Sequence, residues 1–336
     1  MNIIIPMAGR GSRLRPHTLT VPKPLIPVGG VPIVHRLVAD IAAVCGGNIK
    51  KIGFVTGDFG EAVDHELCQI AAQFGAEGLV FKQHEPLGTG HAVLCASELL
   101  SGPVVVAFAD TLFRANFTIS PKDDGILWVK QIPNPEQFGV VILNKSGEIT
   151  DFIEKPKEPV SDLAMIGIYY FKDGNALLQE LNYLVDHSVI KSGEYQLPDA
   201  LRRLTEKGIV FRPGEVQEWL DCGNKEVTVE TNSRVLEFDL EDGKTMVGQN
   251  LRINNSLIIP PCFIGDNVTI NHSIVGPHVS LGNGSVVEHS NIKNSLIQAN
   301  TQIKNAVLSA SMLGSNVRIN GAVKDMSLGD YSEWHG

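Results

Sequence analysis

The chain lacks several features that would assign it to a common class. Its five cysteines are odd in number, scattered over 336 residues and never in Cys-x-x-Cys spacing, which argues against a disulfide framework or a zinc site. No run of about eighteen apolar residues occurs, and the opening residues MNIIIPMAG lack the basic region of a signal peptide. We therefore expect a cytoplasmic protein with no membrane partner.

An excess of positive charge is also absent. Lys and Arg number 28 against 37 Asp and Glu, a formal net charge of −9. An acidic chain is a poor general binder of nucleic acid, so we expect no nucleic acid polymer as a partner. Any small anionic ligand must then be held by cations concentrated in one place.

The first two thirds of the chain alternate short apolar runs with helical patterns. Strand-like NIIIPMA, KIGFVTG, GLVFKQ and PVVVAFAD are separated by helix-like segments such as PIVHRLVADIAAV. This alternation predicts an α/β fold with a doubly wound, mixed and mainly parallel sheet, in which ligands bind beyond the carboxyl ends of the strands. Strands dominate from Gly125, and VFRPGEVQEWLDCGN is expected to form a closing strand pair. We assign residues 1–240 to this domain.

The tail, residues 241–330, has a different period. FIGDNVTI, SLGNGSVV and MLGSNVRI are similar, and Ile264, Leu281 and Gln298 recur every 17 residues. Aliphatic, small and polar positions repeat in a hexapeptide-type pattern, and three such repeats make one turn of a parallel β-helix, about 18 residues. We expect three or four turns over residues 248–325, with irregular surface strands as the alternative.

Cations are concentrated in PMAGRGSRLRPHTLTVPKPLIPVGG, residues 6–30. Gly9 and Gly11 allow a ligand to approach the backbone, and the free N–H groups of such a turn attract an anion. Arg13 supplies a planar guanidinium suited to phosphate oxygens. Prolines on both sides of Lys23 fix its backbone, although a surface lysine in a proline loop has the same local sequence. The segment matches neither a Walker A loop nor the dinucleotide fingerprint.

This segment resembles the signature of the sugar-1-phosphate nucleotidyltransferases, GxGTRLxPxTxxxPKPLxPV. Ser12 replaces the usual threonine and keeps its hydroxyl. The resemblance covers roughly residues 1–230 and implies transfer of a nucleoside monophosphate from an NTP to a sugar 1-phosphate, with release of pyrophosphate. It further implies a left-handed β-helix as the tail. In this scheme Arg13 binds the β- and γ-phosphates, Lys23 stabilises the α-phosphate, and Lys155 positions the attacking sugar phosphate.

The motif KQHEPLGTGHAV, residues 82–93, points to base recognition. The amide of Gln83 offers both a donor and an acceptor, which suits uracil or thymine, whereas a surface glutamine is the alternative for this residue taken alone. LGTGHA is most similar to uridylyl- and thymidylyltransferases, but guanylyltransferases share EPLGT. By the resemblance, the nucleotide site comprises Ala8, Gly9, Gly11, Gln83, Gly88 and Thr89.

Two carboxylates are candidates for metal ligands. Asp110 follows the apolar strand VVVAFA, where a helix N-cap is the alternative role, and Asp221 lies in EWLDCGN. Both match aspartates of the family, although Ala109 stands where the family usually has glycine. The resemblance implies that they hold one Mg²⁺, a hard cation that prefers oxygen ligands.

The sugar side of the site is implied by FGVV, FIEKP and GIYYF. By the resemblance, Gly139 and Glu154 face sugar hydroxyls, and Tyr169 lines the hexose. The alternatives are a core position for Tyr169 and a solvated charge pair for Glu154 and Lys155.

The expected reaction uses dTTP or UTP with glucose 1-phosphate. One rival is a bifunctional N-acetylglucosamine-1-phosphate uridylyltransferase with an acyltransferase tail, and another is a mannose-1-phosphate guanylyltransferase. A third is an inactive regulatory subunit, which should have lost Arg13, Lys23, Asp110 or Asp221, yet all four are present. We also expect a homo-oligomer assembled through the β-helix.

Overall fold

The computed structural model describes residues 1–9, 11–120, 122–191, 193–321 and 325–336. It contains two compact units. Unit 1 comprises Met1–Gly9 and Leu37–Trp219, and unit 2 comprises Arg10–Arg36 and Leu220–Gly336. The predicted boundary near residue 240 follows the order of elements along the chain. The compact units follow contacts instead, and they group the segment that carries Arg13 and Lys23 with the tail.

Most elements before the tail occur where the apolar runs predict them, whereas the short strands at residues 27–28, 31–32 and 111–114 and the 3₁₀ helices were not predicted. The strands are β1 Asn2–Pro6, β2 Pro27–Val28, β3 Val31–Pro32, β4 Lys51–Thr56, β5 Glu77–Lys82, β6 Val104–Ala107, β7 Thr111–Arg114, β8 Gly125–Gln131, β9 Gly139–Leu143, β10 Ile149–Glu154, β11 Leu163–Phe171, β12 Phe211–Glu215 and β13 Glu218–Asp221. The α-helices are α1 Ile33–Val44, α2 Glu61–Gln73, α3 Thr89–Cys95, α4 Gly174–Asp186, α5 Leu197–Glu206 and α6 Lys225–Glu241. Short 3₁₀ helices are Ser12–Leu14, His17–Leu19, Lys23–Leu25, Ser97–Leu99 and Pro135–Gln137.

Over its described residues, unit 1 is built on a nine-stranded mixed sheet in the order β5-β4-β1-β6-β11-β8-β12-β10-β9. The first four strands are parallel and are connected through helices, as predicted. β11 runs antiparallel to both β6 and β8. Ile3–Ile5 and Val104–Val106 are fully buried, as expected for parallel strands whose two faces are both covered.

The predicted strand pair in VFRPGEVQEWLDCGN is wrong. β12 pairs with β8 and β10 of the large sheet, and β13 belongs to a different sheet. Only Val216 and Gln217 separate the two strands, and neither residue suits the positive φ of a two-residue hairpin turn. The chain therefore continues forward, with the Val216 N–H donating to Val129 O (3.0 Å) and the Gln217 N–H to Arg114 O (2.8 Å).

The tail is a parallel β-helix, as predicted. Its strands are β14 Arg252–Asn254, β15 Leu257–Ile258, β16 Cys262–Ile264, β17 Thr269–Asn271, β18 Ile274–Val275, β19 Val279–Leu281, β20 Val286–Glu288, β21 Asn291–Lys293, β22 Ser295–Ile297, β23 Gln302–Lys304, β24 Val307–Ser309, β25 Met312–Leu313, β26 Arg318–Asn320, β27 Ser327–Leu328 and β28 Glu333–His335. Across the described part of the tail they form three parallel sheets of six, four and five strands.

Two details of the predicted β-helix are wrong. It has more turns than three or four and continues to His335, past residue 325. The repeat also shortens by one residue, because Leu281 pairs with Ile297 rather than Gln298. Ile297 is 2% exposed and continues the apolar column of Ile264 and Leu281. Burial of the aliphatic side chain, and not a constant spacing, sets the register.

Within unit 2, helix α6 packs against the β-helix. The Ser280 hydroxyl donates to Asn232 Oδ1 (2.7 Å), and His278 Nε2 lies 2.9 Å from Glu237 Oε1. Asn232 Oδ1 also accepts from the N–H of Gly29 (2.9 Å). Helix α6 thus connects the amino-terminal segment to the β-helix through buried hydrogen bonds.

Candidate active site

The segment from Gly11 to Leu25 folds back on itself within unit 2. Gly11 has a left-handed φ of 57°, and a Cβ there would lie 3.1 Å from Thr18 Cγ2 and 3.2 Å from Lys23 Cβ. The Thr18 hydroxyl donates to Gly11 O (2.8 Å). A larger residue in place of Gly11 would therefore be strained and would displace Thr18 and Lys23. The structure thus brings Gly11 and Lys23 together, as the signature requires.

Lys23 begins a 3₁₀ helix between its two prolines. The N–H of Leu25 donates to Pro22 O (2.9 Å), and the N–H of Ile26 donates to Lys23 O (3.1 Å). Lys23 is only 9% exposed, so it is not the freely moving surface lysine of the alternative interpretation. Arg13 lies in the first 3₁₀ helix of the segment, Ser12–Leu14, and is exposed.

Asp221 ends strand β13, directly before helix α6 of unit 2. Its backbone carbonyl accepts from the Thr231 hydroxyl (2.7 Å). Gly223 leaves room for the carboxylate, because a Cβ at that position would be 2.9 Å from Asp221 Oδ2. Asn224 caps α6, its side-chain oxygen accepting from the Val227 N–H (3.1 Å). The D-x-G-N pattern therefore has a physical role at each of its three specified positions.

In unit 1, the amide of Gln83 has a defined orientation. Its Nε2 donates to Gly88 O (3.2 Å) and lies 3.1 Å from His91 Nδ1. A backbone carbonyl can only accept, so the NH₂ group must face Gly88. This geometry assigns Nε2 to contacts within the protein.

Gly88 and Thr89 form the amino-terminal end of α3, and they contact the segment before α5. Gly88 has a φ of 105°, and a Cβ there would be 2.6 Å from Tyr195 O. The Thr89 hydroxyl accepts from the Leu197 N–H (3.0 Å), and the Gly90 N–H donates to Tyr195 O (2.8 Å). The predicted base-binding residues Gln83, Gly88 and Thr89 thus form one rigid cluster.

Ala8, Gly9 and Asp110 follow the carboxyl ends of neighbouring parallel strands of unit 1. Ala8 and Gly9 follow β1, and no atom of the described residues lies within 4 Å of the position that a Cβ on Gly9 would take. Asp110 is half-buried in the turn between β6 and β7, three residues beyond the end of β6. These are the positions where ligands bind in such sheets.

The predicted sugar-side residues are also close together in unit 1. Gly139 pairs with Glu154 across β9 and β10, and a Cβ on Gly139 would be 2.8 Å from Glu154 Oε2. Tyr169 is buried in the core, with its ring edge-on to Phe108 at 6.4 Å, as the core alternative proposed. Burial first, and then the Glu154 carboxylate, raises the pKa of Tyr169. Lys155 follows β10 with a φ of 44° and is exposed.

Comparison with known proteins decides the family. The family model described as nucleotidyl transferase matches residues 2–237. The chain belongs to the nucleotidyl transferase family. The prediction made from residues 6–30 is thereby confirmed.

Individual relatives differ in how much of their own length the chain covers. The bifunctional protein GlmU of Methanococcus aeolicus is 31% identical over 77% of this chain, which spans only 60% of that relative. A glucose-1-phosphate thymidylyltransferase of Streptomyces griseus is 28% identical over 99% of this chain and 98% of its own length. A solved UDP-glucose pyrophosphorylase shares the fold, with a TM-score of 0.58 at 23% identity over 70% of this chain and 98% of its own.

The donor set of this nucleotidyl transferase family member fits a hard cation. Among the residues that the structure describes, no three His, Cys, Asp or Glu side chains form a metal cluster. Asp110 in unit 1 and Asp221 in unit 2 each carry the carboxylate oxygens that Mg²⁺ prefers as ligands. None of the described helices is long and apolar enough to span a membrane.

Sequence reasoning missed the residues that support the predicted ligands. Tyr195 and Leu197 contact the α3 turn through backbone atoms, which leave no signature in side-chain chemistry. His91 lies within the quoted motif, but its role becomes visible only from its distance to Gln83. The one usable signal was the recognisable GEYQLPDAL string that contains Tyr195 and Leu197.

Proposed function

We propose that this protein transfers a nucleoside monophosphate from an NTP to a sugar 1-phosphate and releases pyrophosphate. The observation that carries the proposal is the segment from Gly11 to Leu25, in which Lys23 is buried and held against Gly11. A fixed cation suits a phosphate whose negative charge grows during the reaction. The name of the Streptomyces griseus relative, a glucose-1-phosphate thymidylyltransferase, agrees with this class of reaction.

The chemistry needs no general base. An oxygen of the sugar 1-phosphate is already anionic and attacks the α-phosphorus; the new P–O bond forms as the bond to the β-phosphate oxygen breaks, and pyrophosphate leaves. Catalysis then consists of alignment and charge neutralisation. We assign Arg13 to the β- and γ-phosphates, Lys23 to the α-phosphate and Lys155 to the sugar phosphate.

Asp110 and Asp221 would hold Mg²⁺, which supplies charge neutralisation on the α-phosphate and the leaving pyrophosphate when it is bound. Ala8 and Gly9 offer backbone groups at the end of β1, where a Cβ on Gly9 would meet open space among the described residues. That space suits the close approach of a nucleotide.

The favoured nucleotides are dTTP and UTP. Because Gln83 Nε2 faces Gly88 O, Oε1 is left to accept from the N3–H of uracil or thymine. Cytosine has an acceptor at N3, so with CTP this nitrogen and Gln83 Oε1 would be two acceptors facing each other. The favoured sugar is glucose 1-phosphate, in keeping with the name of the Streptomyces griseus relative, with Glu154 and Gly139 on the sugar side and Tyr169 in the core behind them.

The test is pyrophosphate release from a grid of UTP, dTTP, CTP, GTP and ATP against glucose, N-acetylglucosamine and mannose 1-phosphates. We expect turnover with UTP or dTTP and glucose 1-phosphate, and a loss of at least about 100-fold in kcat for Lys23→Ala. Lys51→Ala removes an exposed lysine that pairs with Glu77 and is the matched control. Wild-type activity in Lys23→Ala, or no pyrophosphate from any pair, would refute the proposal.

Homo-oligomerisation stays a prediction. Leu257, Ile274 and Val307 lie in one outward-facing column of the β-helix and are exposed by 55%, 40% and 53%, with Asn291 between Ile274 and Val307. Burial of this apolar face against a second copy would be favourable. Light scattering with size-exclusion chromatography measures the mass directly.

A further inference from the structure

The last turn of the β-helix contacts the amino-terminal segment within unit 2. His17 Nε2 is hydrogen-bonded to Ser327 Oγ (3.2 Å), and the Thr20 hydroxyl donates to Asp330 Oδ2 (2.6 Å). Gly329 lies directly against Pro16, since a Cβ on Gly329 would be 3.0 Å from Pro16 Cβ. These contacts join residues that are about 310 positions apart in sequence.

A hydrogen bond and a packing contact connect the contacted residues to the predicted phosphate ligands. Thr18 follows His17 in the same 3₁₀ helix, and its hydroxyl donates to Gly11 O (2.8 Å). Gly11 in turn packs against Lys23 Cβ. A displacement of the helix His17–Leu19 would therefore move both Gly11 and Lys23.

Residues 28–36, at the other end of the segment, are bound by helix α6 instead. Arg36 forms an ion pair with the nearly buried Asp239 of α6 (2.7 Å) and donates to Val28 O (2.7 Å). The N–H of Gly29 is bound by Asn232 of the same helix. The segment is thus held at its far end by α6, whereas residues 16–20 contact the last β-helix turn.

The segment itself has little capacity to hold its own shape. Its described residues form short 3₁₀ helices and the two-residue strands β2 and β3, and none of them before Ile33 belongs to an α-helix. Such turns leave many backbone groups outside any regular hydrogen-bonding pattern. An external support is needed to fix a phosphate site to the accuracy that catalysis demands.

We propose that Ser327 and Asp330 of the last β-helix turn are positioning residues for the phosphate-binding segment, acting through His17 and Thr20. The β-helix then has a role in nucleotidyl transfer that does not depend on assembly or on any chemistry of its own. This inference rests on the proposed function, because it assigns Gly11, Arg13 and Lys23 to the phosphates of the NTP.

The test uses the full-length chain with the double variant Thr20→Val/Ser327→Ala. Asp330 is left unchanged because its other carboxylate oxygen accepts from the Ser315 N–H (2.6 Å) and so supports the β-helix itself. Thr20→Ser/Ser327→Thr keeps both hydroxyls and is the rescue variant. Glu333→Gln changes the same last turn at a residue that pairs with Arg318 (3.1 Å) and is the matched control.

We expect kcat/KM for the NTP to fall about tenfold in the double variant. KM for the sugar 1-phosphate and the melting temperature should stay close to the wild-type values. The rescue variant and Glu333→Gln should behave as the wild type. Equal loss of kcat/KM in the rescue variant, or unchanged kinetics in the double variant, would overturn the inference.

Amide hydrogen exchange over residues 11–23 gives a readout that does not need turnover. The double variant should exchange faster there than the wild type, and Glu333→Gln should not. If the wild type releases no pyrophosphate from any substrate pair, the proposed function fails, and exchange alone decides the positioning role. Unchanged exchange in the double variant would then reject that role.

Discussion

His17 should make unit 2 sensitive to acid. Its side chain is 1% exposed, and Nδ1 has no hydrogen-bond partner among the described residues. Burial lowers the pKa of His17 from its ordinary value of 6.5 to about 4; the carboxylate of Asp330 acts in the opposite direction, and Lys225 adds to the lowering. The folded protein therefore holds this imidazole neutral under conditions in which the unfolded chain would protonate it.

The sign and size of the effect follow from proton linkage. Between pH 6.5 and about 4 the unfolded state binds a proton at His17 that the folded state does not. The free energy of unfolding thus keeps its full value above pH 6.5 and decreases as the pH falls toward 4. The difference between these two pKa values corresponds to about 3 kcal/mol.

The assay is urea unfolding followed by circular dichroism at a series of pH values from 7.5 to 4. His17→Gln keeps a polar group near Ser327 but cannot titrate. Its free energy of unfolding should therefore fall less over this pH range than that of the wild type, and the two decreases should differ by about 2–3 kcal/mol. His65→Gln replaces an exposed histidine of α2 and is the control. The same pH dependence in wild type and His17→Gln would refute the reasoning, even if the variant is less stable at every pH.

Three further outcomes are expected. Gln83→Glu places a carboxylate against Gly88 O, and we expect KM for UTP or dTTP to rise at least about tenfold while KM for the sugar 1-phosphate stays constant in steady-state assays. Ile270→Ala should lower the free energy of unfolding by about 2–5 kcal/mol in urea titrations, because Ile270 is fully buried in the β-helix. Ile253 lies one turn earlier in the same register and is 43% exposed, so Ile253→Ala should lower that free energy far less. Removal of divalent cations with EDTA should abolish pyrophosphate release, and added Mg²⁺ should restore it; activity that survives chelation would contradict the assignment of Asp110 and Asp221.

Local patterns in the sequence predicted the elements well. The apolar runs located the parallel strands β1, β4 and β6 because a buried strand must be apolar on both faces. They also located β5, the half-buried strand at the edge of the sheet. The 17-residue recurrence predicted the β-helix because stacked turns need an inward aliphatic residue at each level. The one-residue shortening at Ile297 was missed, since spacing alone does not reveal which of two adjacent residues points inward.

Long-range contacts were not predictable in the same way. Nothing in residues 16–20 indicates that they contact residues 327–330, because the contact uses two hydroxyls, an imidazole, a carboxylate and a glycine without a sequence pattern. The grouping of Arg10–Arg36 with the tail has the same origin. Gln83 and Lys23 were predicted as ligands from the chemistry of their side chains. The residues that orient them could be identified only from the structure.

The contacts between residues 16–20 and the last β-helix turn explain how the proposed phosphate-binding segment, which is rich in glycine and proline, could hold its groups in accurate positions. Glycine gives the backbone access to a ligand, but it also costs conformational entropy when the chain is fixed. A stacked β-helix is a rigid support because each turn is hydrogen-bonded to the next along its whole length. Contact between Pro16–Thr20 and the last turn transfers that rigidity to Gly11 and Lys23 through single hydrogen bonds. In the proposed mechanism, the accessible backbone for phosphate and the stiffness that aligns it would therefore be supplied by different parts of the same chain.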